Sequence, residues 1–93
     1  MIESFRCRET EKIWKRRFSK KFPPDIQGRA RRKLIALHIS ESITDLRVPP
    51  SNHLEALKNE RKGQYSIRIN NQWRICFKWK NGNAFDVEMV DYH

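Results

Sequence analysis

Asp91, Tyr92 and His93 stand in consecutive positions at the carboxyl end of this chain: an acid, a phenol and an imidazole. An imidazole that titrates near neutrality suits proton transfer. A phenol ring suits stacking on an unstacked base, and cations suit phosphates. The cations are close at hand in sequence. Lys58, Arg61 and Lys62 share one segment, and Arg68, Arg74 and Lys78 follow at strand-like spacing. On a chain of formal net charge +9 these residue types point to chemistry on an anionic polymer, and RNA fits them best. Each also has an ordinary reading. Arg74 can be a surface partner of Glu88 or Asp86, and tyrosines and histidines at chain ends are commonly exposed and frayed.

Such residues need a sheet to position them, and residues 64–93 read as three consecutive strands. Tyr65, Ile67 and Ile69 alternate with Ser66, Arg68 and Asn70; Trp73, Ile75, Phe77 and Trp79 alternate with Arg74, Cys76, Lys78 and Lys80. Asn81-Gly82 is a two-residue hairpin turn, because both types tolerate positive φ. Phe85, Val87 and Met89 alternate with Asp86, Glu88 and Val90 on the return. One face is therefore apolar. The other carries Arg68, Arg74, Lys78, Glu88 and Tyr92.

The amino-terminal half supplies cover for the apolar face. Ile2 to Phe5 reads as a short opening strand. Thr10 is the expected N-cap of a helix over 11–19, with Ile13, Trp14 and Phe18 inward and Lys12, Lys15, Arg16 and Lys20 outward. Phe22-Pro23-Pro24 breaks that helix, and Pro24 with Asp25 suits the first turn of a second one. Ile26, Ala30, Leu34 and Leu37 form its buried stripe, with Gln27, Arg31 and Arg32 off it and His38 structural. Gly28 costs about 1 kcal/mol relative to alanine, which implies close packing or a loose first turn. Residues 42–47 form a helical turn, and 48–52 form a loop because of Pro49 and Pro50. The expectation is one α+β domain over 1–93, with two helices on one face of a small twisted antiparallel sheet and the other face open.

Charge is distributed unevenly. Residues 1–33 hold twelve Lys/Arg against four Asp/Glu, whereas residues 63–93 hold four against three. The excess therefore belongs to the helices and suits docking on a polyanion or, in the ordinary reading, a solvated helix surface. Cys7 and Cys76 read as two reduced thiols, and no His/Cys cluster has zinc spacing. The apolar runs are too short to span a membrane and the amino terminus has no signal core, so a cytoplasmic location is expected.

Three runs carry a family resemblance. Leu57-Lys58-Asn59-Glu60-Arg61-Lys62-Gly63-Gln64-Tyr65-Ser66-Ile67-Arg68-Ile69-Asn70, then Gln72-Trp73-Arg74-Ile75-Cys76-Phe77, then Val90-Asp91-Tyr92-His93, together resemble the HigB (plasmid maintenance killer) branch of the RelE-like toxins. The resemblance covers nearly the whole chain, including the Phe-Pro-Pro break and the Arg-Arg-Lys-Leu of the second helix. It implies a RelE-like fold and a toxin that cuts messenger RNA during translation on the small ribosomal subunit, with no cofactor and no metal. It also implies a HigA-type helix-turn-helix antitoxin, with operator DNA bound only through the antitoxin complex.

Cleavage by attack of the ribose 2′-hydroxyl needs a base, an in-line pose, charge for the phosphorane and an acid for the departing 5′-oxygen. The resemblance assigns Arg74 to the phosphorane, Tyr92 to stacking or phosphate orientation, and His93 to acid or base work. Asp91 orients His93 or positions a ribose hydroxyl, and Lys58 holds the backbone. Some relatives keep a histidine three residues before the lysine matched by Lys58. Here Glu55 stands there, with His53 two residues earlier, so the base is Glu55, Lys58 or His93. The family's usual glycine is Asn59, which also tolerates positive φ. Arg61, Lys62, Arg68 and Lys78 would contact RNA, and Lys12, Lys15, Arg16, Arg31 and Arg32 the ribosome. Two further readings stay open: a ParE-like gyrase inhibitor without catalysis, and a nucleic-acid-binding module.

Overall fold

A computed structural model describes residues 1–91. Two helices, α1 (Arg8–Trp14) and α2 (Pro24–Ile39), precede a four-stranded antiparallel sheet. Its strands are β1 (Glu55–Ala56), β2 (Gln64–Arg68), β3 (Trp73–Lys80) and β4 (Asn83–Asp91), in the spatial order β1-β2-β3-β4. This is the expected α+β layout with one addition: β1, a two-residue strand on the outer edge of β2. The predicted opening strand is reduced to bridges. Ile2 and Phe5 pair in parallel with Ala84 and Val87 on the free edge of β4.

The apolar stripe of α2 behaves as its spacing dictates. Ile26, Ala30, Leu34 and Leu37 are buried and meet Ile67, Ile69, Ile75, Phe77, Ala84, Val87 and Met89 from the sheet. Each large aliphatic side chain removed from water contributes about 1.5–3 kcal/mol. Pro24 occupies the first helical position, where its missing N–H costs nothing. Gly28 meets neither expectation: the helix is regular there, and an added Cβ would touch only the Arg32 guanidinium at 3.9 Å. His38 is structural, its Nδ1 accepting the Ile2 N–H at 3.1 Å.

Helix α1 departs from its sequence reading. It begins three residues earlier and stops at Trp14, so Thr10 is no cap. Thr10 is instead fully buried, and its Oγ1 accepts the N–H of Met89 at 3.0 Å. The hydroxyl is worth more inside, against a strand N–H that has no other route to a partner, than at a solvated helix end. The helix stops in a Schellman arrangement: Arg17 N–H reaches Lys12 C=O at 2.8 Å and Arg16 N–H reaches Ile13 C=O at 3.1 Å. Arg16 takes the left-handed position (φ 62) usually given to glycine. Phe18, now beyond the helix, is 62% exposed rather than inward. Gln27 clamps the connection by accepting the Ser19 N–H and donating to the Ser19 and Phe22 carbonyls.

The strand alternation holds in β2 and β3 but slips in β4. Cys76 pairs with Glu88 and Lys78 with Phe85, so β4 carries one extra residue between these pairs. Asp86 absorbs this β-bulge with φ 52. Phe85 therefore shares a face with Lys78, and Ala84 takes its predicted place in the core. The 3₁₀ turn Ile43–Arg47 carries a Ser42/Asp45 capping box, and the N–H groups of Glu41 and Ser42 hold the Asp45 carboxyl below its ordinary range. Among the described residues no helix is long and apolar enough to cross a membrane.

The Thr10 bond can be tested by an isosteric change. Thr10→Val keeps the volume and strands the buried Met89 N–H, so urea unfolding should show a loss of about 1–3 kcal/mol, whereas Thr10→Ser should lose less. An unchanged midpoint for Thr10→Val would refute the role.

Candidate active site

The face of the sheet opposite the helices is not left open as its alternation predicts. Ser66 and Cys76 are buried there, and Arg74 is only 7% exposed. Cross-strand pairs set the rows of this face. Glu55 stands opposite Ser66, Ser66 opposite Cys76, and Cys76 opposite Glu88; in the next row Arg68, Arg74 and Val90 stand side by side. Residues directly opposite share a face. The register therefore delivers Arg68 and Arg74 to one place although five residues separate them in the chain.

Arg74 is held by its surroundings. Its Nε donates to Ser66 Oγ at 2.8 Å, and Nη2 donates to the carbonyls of His53 and Ser66. Both carboxylates expected beside it have cation partners of their own: Glu88 lies between Arg6 and Arg61 at 3.6 Å from each, and Asp86 faces Lys78 at 3.3 Å. Arg74 forms the wall of a cleft of about 350 Å³ with His53, Glu55, Arg68, Asn70 and Asn71. His53 reaches this position through a left-handed backbone (φ 44, ψ 56) at the end of the 3₁₀ turn Pro50–Asn52. Arg68 is steadied by the Asn70 carbonyl at 3.1 Å and by Asn71 Oδ1.

Lys58 lies in an adjoining depression with Glu55, Ala56, Leu57, Asn59 and Arg61. Glu55 belongs to both hollows and so connects the Lys58 side to the Arg74 side. Asn59, where the family keeps glycine, adopts φ 57, a conformation that asparagine tolerates. Asp91 stands opposite Trp73 in register, on the helix-bearing face at the end of the sheet, and accepts Gln72 Nε2 at 3.0 Å. Tyr92 and His93 lie outside the described residues.

The remaining predicted cations divide into groups. Lys12 and Lys15 pair with Glu9 and Glu11 along α1. Arg16, Arg31 and Arg32 come together with Arg17 around Phe18 in a groove of about 480 Å³. Lys62 is exposed beside the 3₁₀ turn Asn59–Arg61, and Lys78 sits two rows from Arg68 on the same face. Sequence reasoning passed over Ser66, Asn70, Asn71, Arg29 and Lys33. Ser66 could have been found, because alternation puts it on the Arg74 face; Arg29 and Lys33 carry no signal without the tertiary fold.

With this geometry established, known proteins supply the comparison. The family described as "RelE-like toxin of type II toxin-antitoxin system HigB" matches residues 3–93. This chain belongs to that family. It is similar to Toxin HigB-1 of Vibrio cholerae, with 41% identity over 65 residues, 70% of this chain and 68% of that one. It is similar over the full length of both chains to Endoribonuclease HigB of Proteus vulgaris, at 29% identity. Its fold is that of YafQ from E. coli: the crystal structure superposes with TM-score 0.58 at 13% identity, covering 98% of this chain and 91% of that one. A YafQ mutant gives 0.63 at 14%, with the same shares covered. The RelE-like fold is thus established, and the chain is a toxin of a type II toxin–antitoxin system.

The two thiols of this HigB-like toxin report on its packing. Both are free. Burial pushes the Cys76 thiol up. At Cys7 burial also raises the value, but hydrogen bonds from Thr10 and Glu9 and the nearby Lys21 ammonium outweigh it, and the thiol falls below its ordinary range. Since the thiolate is the nucleophile, iodoacetamide at pH 8 should label Cys7 well before Cys76. Peptide mass mapping checks this, and equal labelling of the native chain would contradict the burial of Cys76.

Proposed function

We propose that this toxin is a metal-independent endoribonuclease that cuts messenger RNA on the ribosome and is neutralised by a HigA-type helix-turn-helix antitoxin. The observation that carries the reading is Arg74: a permanently charged guanidinium, buried near the start of β3, fixed by Ser66 and a loop carbonyl, and lining a polar cleft. A surface ion-pair arginine would need neither the burial nor the clamp. The Proteus vulgaris relative, named as an endoribonuclease, supports the reaction class.

In this reading the ribose 2′-oxygen forms a bond to the adjacent phosphorus as the bond from phosphorus to the 5′-oxygen breaks. The products are a 2′,3′-cyclic phosphate and a 5′-hydroxyl. Arg74 stabilises the charge that grows on the phosphorane oxygens, and because its neighbours already orient it, little reorganisation accompanies the step. Glu55 takes the 2′-hydroxyl proton: it is the carboxylate shared by the Arg74 cleft and the Lys58 depression. Lys58 holds the substrate backbone. His93 returns a proton to the departing 5′-oxygen, and Tyr92 stacks on a neighbouring base. Asp91, anchored by Gln72, fixes the end of β4 from which Tyr92 and His93 continue.

Arg61, Lys62, Arg68 and Lys78 bind the RNA, and Lys12, Lys15, Arg16, Arg31 and Arg32 dock on the small subunit. The groove of arginines around exposed Phe18 supports that division of labour, because it lies on the helices and away from the sheet face. The complex with the antitoxin binds operator DNA, the partner supplying the sequence-specific contacts. The toxin acts in the cytoplasm as one domain over residues 1–93.

The test is translation-dependent cleavage with purified ribosomes, mapped by primer extension. Arg74→Ala should slow cutting by about 10²–10³-fold, and deletion of Tyr92-His93 should abolish it. Both variants should still copurify with the antitoxin, and wild-type cutting should survive a chelator. Full activity of both variants would sink the assignment.

A further inference from the structure

Beside the candidate active cleft lies a second hollow of about 340 Å³, lined by Arg29, Lys33, Ser51, Arg68, Ile69 and Asn70. It shares Arg68 and Asn70 with the first, so the two form one continuous polar path from the sheet face to α2. Arg29 and Lys33 are one turn apart on α2, which puts them on the same side of the helix.

The three cations of this hollow are positioned by neutral groups. Arg29 Nη1 donates to the Ile69 carbonyl at 3.5 Å, and Arg68 Nε donates to the next carbonyl, that of Asn70, at 3.1 Å. Lys33 Nζ donates to Asn52 Oδ1. Asn52 is itself fully buried and donates to the Leu46 and Val48 carbonyls, so its orientation is set from behind. Among the described residues no carboxylate comes within ion-pair distance of Arg29, Lys33 or Arg68, whereas Lys12, Lys15, Lys78, Arg6 and Arg61 all have one. Burial, together with the charges of Arg29 and Arg32, keeps the Lys33 ammonium below its ordinary range. Positive charge gathered in a half-buried hollow and left without an anion raises the local potential, and a phosphate oxygen relieves it.

We propose that the Arg29–Lys33–Arg68 hollow is a second phosphate subsite, which holds a phosphodiester of the RNA strand next to the one presented to Arg74. This rests on the reading of the chain as an RNA-cutting toxin and adds a direction to it. The strand runs from the sheet face across the β2–β3 turn to α2, with Arg68 as the shared contact between the two phosphates. The subsite grips backbone only, so it adds affinity and register without selecting sequence.

Binding of short, uncleavable 2′-O-methyl RNA strands, followed by fluorescence anisotropy, tests the subsite apart from catalysis. For the wild type, lengthening the strand from two to four nucleotides should tighten binding by about tenfold, with a salt dependence reflecting each added phosphate contact. The double variant Arg29→Gln/Lys33→Gln should lose that gain, and its slope of log affinity against log salt should be shallower by about 0.7, the share of the one single-strand phosphate contact it gives up. The charge-retaining variant Arg29→Lys/Lys33→Arg should keep both, which separates lost charge from lost folding. If the double variant keeps the length gain and the slope, or if wild-type binding does not strengthen with length, the subsite is overturned. Should the length gain survive in a wild type that cuts no message on ribosomes, the subsite stands and the catalytic reading fails.

Discussion

A guanidinium buried on an inner strand of the sheet is the constraint from which the candidate site follows. Arg74 cannot shed its charge, and an ionised group taken from water must be hydrogen-bonded or it costs several kcal/mol (~3–5 for a stranded partner). Strand pairing brings Ser66 close enough to supply a hydroxyl. The Ser66 carbonyl accepts from the same guanidinium, and the His53 carbonyl adds an acceptor from outside the strands. Bringing this carbonyl to Arg74 draws the chain along the edge of β2, where Glu55 and Ala56 become β1. Glu55 and His53 thereby line the Arg74 cleft. The segment that brings this acceptor to the buried charge thus also carries the extra strand and two of the cleft's lining residues.

The positive charge of this toxin is not a uniform coat. On α1 the lysines are matched by glutamates one turn away, and such exposed pairs add little stability. Glu88 gathers Arg6 and Arg61 and ties the segment after Lys58 to β4. Elsewhere the cations lean on carbonyls and amides, as in the hollow between α2 and the β2–β3 turn and, for Arg31 on the Trp14 carbonyl, in the groove around Phe18. Carbonyls orient a cation without cancelling it. Where the chain uses them, it keeps charge available for phosphates.

Most of the framework is legible in the residue order, because it rests on local periodicity. The α2 stripe, the Pro24 start, the Asn81-Gly82 turn and the alternation of β2 and β3 each follow from rules that act over a few residues. The failures have a common cause as well. Thr10 reads as a helix cap until the N–H of Met89, far along the chain, competes for its hydroxyl. Phe18 reads as inward until Arg16 ends the helix in a conformation that favours glycine. Phe85 reads as core until a bulge at Asp86 shifts the register of the last strand. In each case a long-range partner, or a strained backbone that the fold supports, overrides a correct local preference.

Residue order was enough for the fold class, the family, the placing of Arg68 and Arg74 on one sheet face, and the concentration of charge on the helices. These depend on spacing and composition, which the chain carries before it folds. The folded arrangement was needed to show that Arg74 is buried and clamped, that Glu55 and His53 share its cleft, and that Arg29 and Lys33 extend that cleft toward α2. Those facts depend on which distant groups satisfy one another's hydrogen bonds and charges once water has been excluded, and no local pattern encodes that pairing.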